Sequence, residues 1–224
     1  MCTPSPKRAR HNVELIHDRL CRMGFDFLTP NTPVLERGST RFGEVVYPYQ
    51  AFAAAEAGDF AHYLPRVTET CGQLPLSLEA WYEHVGTVAW MGDFSGLCGY
   101  QYDLLTEQKE YVLPDPLCVF PLAYALIEYE DHVFRQEEDG EQPSDDFLFP
   151  ITHDMLYKHR LYGDGYEGIR VPAETADAEF TLTNEPFVRY LRRSFEWGGF
   201  PGWRRHEVRP ETLLQHLRAG LLPI

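Results

Sequence analysis

Phe187–Trp203 reads FVRYLRRSFEWGGFPGW, and in it the bulkiest and the smallest side chains stand together after a basic run. Phe187, Tyr190, Leu191 and Phe195 recur at helical spacing and predict an inner apolar stripe, with Arg189, Arg192 and Arg193 more to the outside. Asn184 is the expected cap, and Pro186 falls where a first helical turn tolerates proline. Gly198 and Gly199 offer the left-handed backbone that closes a helix, and Pro201 forbids its continuation. Phe200 is expected to fold back on the last turn, with Trp203 packed beside it. A turn packed on a core therefore explains the segment better than a loop that grips a ligand.

Similar patterns extend outward from this segment. RPETLLQHLRAG predicts a last helix, with Pro210 near its start and Gly220 at its end. LPLSLEAWYEHVG predicts a short helix capped by Ser77, with Leu78, Trp81, Tyr82 and Val85 inward and Gly86 as its stop. TVAWMG and DPLCVFPL read as buried strands, FLFPIT and GIRVP as further strands, and DAEFTLT as one more. Val13, Ile16, Leu20 and Met23 predict an N-terminal helix closed by Gly24. Pro65 is expected to break or kink the Ala-rich helix around it. Ala123, Leu126, Ile127, Glu130 and Phe134 lie at helical offsets, leading into an acidic, mobile loop over 137–146. Helices mixed with strands in this way predict one α+β domain with a mixed central sheet flanked by helices. Residues 1–70 are expected to form a helical segment with loops, packed on a main domain over 71–224.

Composition narrows the function. An apolar fraction of 44% and an aromatic fraction of 14% suffice for a real core. The odd count of five cysteines, with no CxxC pair, argues for a reducing cytoplasm and against a disulfide framework or zinc knuckle. Net charge is −14, yet residues 1–23 carry +3 and residues 189–224 carry +4, which leaves −21 for 24–188. Residues 128–146 alone hold nine carboxylates, Glu128, Glu130, Asp131, Glu137, Glu138, Asp139, Glu141, Asp145 and Asp146, against Arg135. Such a surface repels nucleic acid and membrane head groups and attracts a basic protein.

No catalytic or cofactor signature is present: GxSxG, HExxH and the P-loop are all missing. Gly163, Gly165 and Gly168 lead into the strand-like IRVP rather than a helix, which suits a turn and not a phosphate loop. His153 and His159 are six apart, so a helix does not align them as metal ligands. In the sequence THDMLYKHR, Thr152 is a candidate cap and His153, beside Asp154, a surface or capping residue. Asp93, Asp103 and Asp115 lie near aromatic and glycine-rich turns.

Taken together, LPLSLEAWYEHVG with TVAWMG, DPLCVFPL, FVRYLRRSFEWGGFPGW and the terminal GLLPI resemble bacterial members of the SUKH superfamily over about residues 70–224. That superfamily includes fungal regulators of cell-wall synthesis and bacterial immunity proteins. The resemblance implies an α+β binding scaffold without enzymatic activity or cofactor. It also implies neutralisation of a cognate toxin, often a nuclease, by stoichiometric occlusion. It carries over no catalytic or binding residue.

The first expectation is thus a cytoplasmic, immunity-type protein whose acidic segment, Glu128–Asp146, meets a basic partner. The second is a regulatory scaffold with several weak partners. The third is an unrecognised hydrolase using Asp93 or His153 in a cleft lined by Trp81, Trp90, Tyr100 and Trp203, which requires a deep pocket.

Overall fold

The computed structural model describes residues 5–27, 51–55, 59–93, 99–102, 109–139, 147–153, 158, 166–173 and 175–224. In chain order its elements are α1 (Pro6–Met23), β1 (Asp26–Phe27), β2 (Phe52–Ala54), α2 (Asp59–Cys71), α3 (Leu76–His84), β3 (Gly86–Ala89), β4 (Gly92–Asp93), β5 (Gly99–Tyr102) and β6 (Lys109–Val112). There follow β7 (Cys118–Val119), α4 (Leu122–Asp139), β8 (Leu148–His153), β9 (Tyr166–Arg170), α5 (Phe187–Glu196), a 3₁₀ turn (Pro201–Arg205) and α6 (Glu211–Arg218).

The turn after α5 organises the molecule. Gly198 and Gly199 adopt φ 62° and 93°. The Gly199 N–H reaches the Ser194 carbonyl at 2.7 Å, and the Gly198 N–H reaches that of Phe195 at 3.1 Å, closing the helix by a Schellman motif. The same turn then offers its main chain outward. Leu117 N–H donates to the Gly199 carbonyl at 2.8 Å, and Gly202 N–H to the Pro114 carbonyl at 2.8 Å. A Cβ on Gly199 would lie 2.6 Å from the Trp90 ring, and one on Gly202 only 1.9 Å from the Leu113 carbonyl oxygen. The small residues admit these close approaches, and Phe200 and Trp203, both buried, fill the space beside them. The segment is a clamp on residues 113–117.

One core joins elements from both ends of the chain. Val13, Ile16 and Leu20 of α1, Leu78 and Trp81 of α3, Trp90, Phe149 of β8, Phe187 and Phe195 of α5 and Leu214 and Leu217 of α6 belong to a single buried cluster. The strands form small antiparallel ladders: β1 with β4, β2 with β3 and β7, β5 with β6, and β8 with β9. The chain is a single α+β domain, but the expected mixed central sheet is replaced by these ladders among the described residues. Gly86, at φ 99°, turns the chain directly from α3 into β3, which pairs antiparallel with β2 on one side and with β7 on the other.

Several local expectations change. Ser77 is not the cap of α3, which starts after Pro75; its hydroxyl instead accepts the Ala178 N–H at 3.1 Å. Asn184 sits at φ 52° outside α5, whose N-cap is Pro186. Thr152 lies inside β8, not at a helix start. Residues 177–183 make a single bridge, Glu179 to Pro186, and a turn in place of a strand. Helix α2 runs on through Pro65, because Phe60, Tyr63, Leu64 and Val67 pack on the core and outweigh one lost main-chain bond. Of the loop expected over 137–146, Glu137, Glu138 and Asp139 belong instead to α4, and 140–146 lie outside the described residues.

Candidate functional site

The acidic segment divides into a rooted part and a free part. At its root, Phe120 stacks on Tyr124 at 4.6 Å between ring centroids. Tyr124 in turn hydrogen-bonds the half-buried Glu128, whose carboxyl is held above its usual range by burial, with Asp131 adding and Tyr124 and Arg135 opposing. Tyr166 of β9 lies alongside, its hydroxyl pushed up to about 12 by burial and then by Glu128. Glu130 is half-buried. Asp131 is exposed and pairs with Arg135 one turn on.

Beyond Arg135 the outer face of α4 is acidic. Glu137 and Glu138 are exposed, and no basic residue occupies the last turn. A helix C-terminus carries partial negative charge, so these carboxylates sit where the helix itself disfavours them. Phe134, expected among the inward offsets, is 56% exposed. Its helical neighbours three and four positions away are Glu130, Asp131, Glu137 and Glu138. Asp139 ends the helix, and Glu141, Asp145 and Asp146 lie outside the described residues.

A second polar cluster is sealed inside. Lys158 is buried, with a side-chain exposure of 2%, and its Nζ lies 2.8 Å from Asp115 Oδ1 and 3.4 Å from the Tyr190 hydroxyl. Burial alone would depress the ammonium pKa; the Asp115 carboxylate, then Tyr190 and Cys118, carry it above its ordinary value instead. The Cys118 N–H donates to the Tyr190 hydroxyl at 3.3 Å. Burial raises the Cys118 thiol and the Tyr190 phenol. Asp115 holds φ 51° within the segment that the Gly199 and Gly202 clamp fixes.

His153 belongs beside this cluster and not at the surface. It is buried at the end of β8, with its ring edge-on to Phe120 at 4.5 Å. Burial first, and Lys158 second, lower its pKa to about 3, so the imidazole is neutral near pH 7. An imidazole with that pKa is a poor general base. The three tryptophans expected to line a hydrolase cleft do not line one among the described residues. Trp81, Trp90 and Trp203 are core residues with exposures of 2%, 0% and 2%. Asp93 pairs with Asp26 across β1 and β4, and Tyr100 stands opposite Tyr111 in the β5–β6 ladder. Asp103, Asp154 and His159 lie outside the described residues. A groove of about 380 Å³ lies elsewhere, lined by Pro75, Ile169, Arg170, Thr175, Asp177 and Phe180 among others.

Sequence reasoning found the acidic face from charge density but missed Lys158, a single lysine in an unremarkable run. Two arginines of the Arg-rich face of α5 are spent locally, while Arg189 is exposed. Arg193 pairs with Glu185 at 2.7 Å, and Arg192 Nε donates to the Ile224 carbonyl at 2.7 Å. No group of three or more His, Cys, Asp or Glu among the described residues could hold a metal ion, and no helix among them is long and apolar enough to cross a membrane. No family model, no curated protein and no solved structure matches this chain.

Proposed function

We propose that this chain is a non-enzymatic binding protein that captures a basic protein partner on the outer face of α4. The observation that carries the reading is Phe134, exposed and ringed at helical spacing by Glu130, Asp131, Glu137 and Glu138. An apolar knob inside a charged rim suits a partner whose apolar socket is edged by Arg or Lys. The resemblance to SUKH proteins supports the immunity type, in which the partner is a toxin domain neutralised by occlusion. Nucleases are basic where they hold phosphate, so an acidic inhibitor competes for the same surface. The described cysteines, Cys21, Cys71 and Cys118, are free thiols, which fits work in a reducing cytoplasm. The face repels nucleic acid and anionic lipid as partners.

The test is affinity purification of the tagged full chain from its source cells at low and moderate salt. One stoichiometric basic partner, lost as salt rises, is the expected result. That partner should then bind the double variant Glu137→Gln/Glu138→Gln with slower association and a weaker salt dependence. Equal binding of variant and wild type at low salt would remove α4 from the interface.

A further inference from the structure

The groove beside β9 has fixed walls, an apolar floor and one unanswered charge. Its floor is Ile169 and Phe180, both buried. One wall is pinned to the start of α3 by main-chain bonds. Ala173 N–H donates to the Gln73 carbonyl at 2.9 Å, Leu76 N–H to that of Thr175 at 3.2 Å, and Ser77 N–H to that of Ala176 at 3.0 Å. The other wall is pinned to β9, where Thr181 N–H reaches the Gly168 carbonyl at 2.9 Å. Phe180 N–H donates to the Glu185 carbonyl at 3.1 Å, which fixes the turn next to Glu179. A groove of about 380 Å³ held in this way is formed before any ligand arrives.

Three charged residues line the groove, and they are not equivalent. Arg170 is engaged within the chain. Asp177 Oδ1 accepts the Val188 N–H at 3.3 Å, at the start of α5, where the helix dipole favours a carboxylate. Glu179 is exposed, and its side chain makes no hydrogen bond or ion pair among the described residues. The charge left over is negative and stands beside an apolar floor. At the rim, Leu76 and Leu182 are 64% and 67% exposed, and they adjoin the lining residues Pro75 and Thr181. An aliphatic stem that ends in a guanidinium or ammonium complements this arrangement: the stem lies on Ile169 and Phe180, and the head meets Glu179. A free amine would fill the groove and leave Leu76 and Leu182 in water, whereas a protein surface covers them. We infer that the groove is a docking site for an arginine or lysine side chain that a partner protein presents between apolar neighbours. No residue of α4 lines it, so this site stands or falls apart from the α4 face.

The probe is acetyl-Leu-Arg-Leu amide, titrated into the isotope-labelled full chain and read from backbone amide shifts by NMR. Saturable shifts are expected at Ile169, Thr181 and Leu182, and acetyl-Leu-Glu-Leu amide should bind more weakly. Glu179→Gln should weaken the arginine peptide by about two- to fivefold, the worth of one exposed ion pair, and narrow the gap between the two peptides. Leu182→Ser should weaken both peptides alike, because it removes apolar contact and no charge. Shifts confined to the amides of α4, no saturable shift, or equal affinity for the two peptides overturns the docking site. Unchanged affinity in Glu179→Gln overturns the role of that carboxylate and the inference with it. Should that variant not fold, the comparison of the two peptides on the wild type decides. Butylguanidinium carries the head and stem without the flanking leucines, and weaker binding than the peptide is expected of it. Binding as tight as the peptide's would make a free cation the ligand and overturn the assignment to a protein.

Discussion

The buried cluster around Lys158 and the outer face of α4 both concentrate charge, and they handle it in opposite ways. Inside, one ammonium has a carboxylate at 2.8 Å and a phenol at 3.4 Å, so the charge is answered by the chain itself. Outside, Glu137 and Glu138 stand at a helix end that disfavours them, with no base in the last turn. Charge that is answered within the fold secures the fold. Charge left unanswered at the surface awaits a partner or solvates the protein. The Gly199–Gly202 clamp ties the first region to the core by fixing residues 113–117.

The comparison breaks most visibly at Asp115. Asp115→Asn keeps the shape and tolerates the left-handed backbone, but leaves Lys158 buried without its counter-ion. We expect a loss of about 3–5 kcal/mol in urea unfolding. Adding Lys158→Met should recover much of it, because the buried ammonium that lost its counter-ion is then replaced by an apolar side chain of similar volume. Lys158→Met alone should cost less than Asp115→Asn, since Asp115 is the more exposed partner, at 14% against 2%. A single loss that the double variant does not recover would mean that the pair is not the source of the stability. The clamp comes next. Gly202→Ala drives a methyl into the Leu113 carbonyl, and a backbone atom cannot swing aside, so a loss of about 3 kcal/mol is expected by thermal unfolding. Gly24→Ala, whose Cβ would meet nothing within 4 Å, is the control that reads left-handed strain alone.

Acid probes the interior more gently. The unfolded imidazole of His153 takes a proton below its ordinary 6.5, whereas the folded one resists to about 3. Between those limits the unfolded state binds more protons, so stability falls as pH falls, by up to about 1.4 kcal/mol per unit. His153→Gln should flatten that slope between pH 6.5 and 4.5 in a series of urea midpoints. An unchanged slope would place the acid sensitivity elsewhere.

The fold was legible where periodicity and glycine agreed. The stripe of α5, the Gly198–Gly199 stop and the buried run after Gly86 all follow from side-chain spacing and left-handed turns. Caps were misread because cap residues also serve distant neighbours: Ser77 accepts from Ala178, and Thr152 continues a strand. The interior ion pair was illegible because Lys158 and Asp115 stand 43 residues apart, and no local pattern marks a lysine as buried. Asn12 carries no local signal for the same reason; its partner is 210 positions away. Of the acidic site, density was visible in the sequence, but the exposure of Phe134 among the carboxylates depends on how α4 packs.

The smallest effect separates the two regions most sharply. If Glu137 and Glu138 oppose the dipole of α4, neutralising them as Gln should stabilise the protein, by about 0.3–1 kcal/mol in total at low salt. Removing a charge in the interior has the opposite sign, as Asp115→Asn tests. The gain should shrink in high salt, because exposed charges are screened within about a Debye length. The same substitutions should slow association with a basic partner, so stability and binding move in opposite directions. A residue kept for solubility alone gives the first change without the second. Loss of stability in Glu137→Gln/Glu138→Gln would mean that these carboxylates are answered from within the chain, and the contrast between inside and outside would no longer hold at α4.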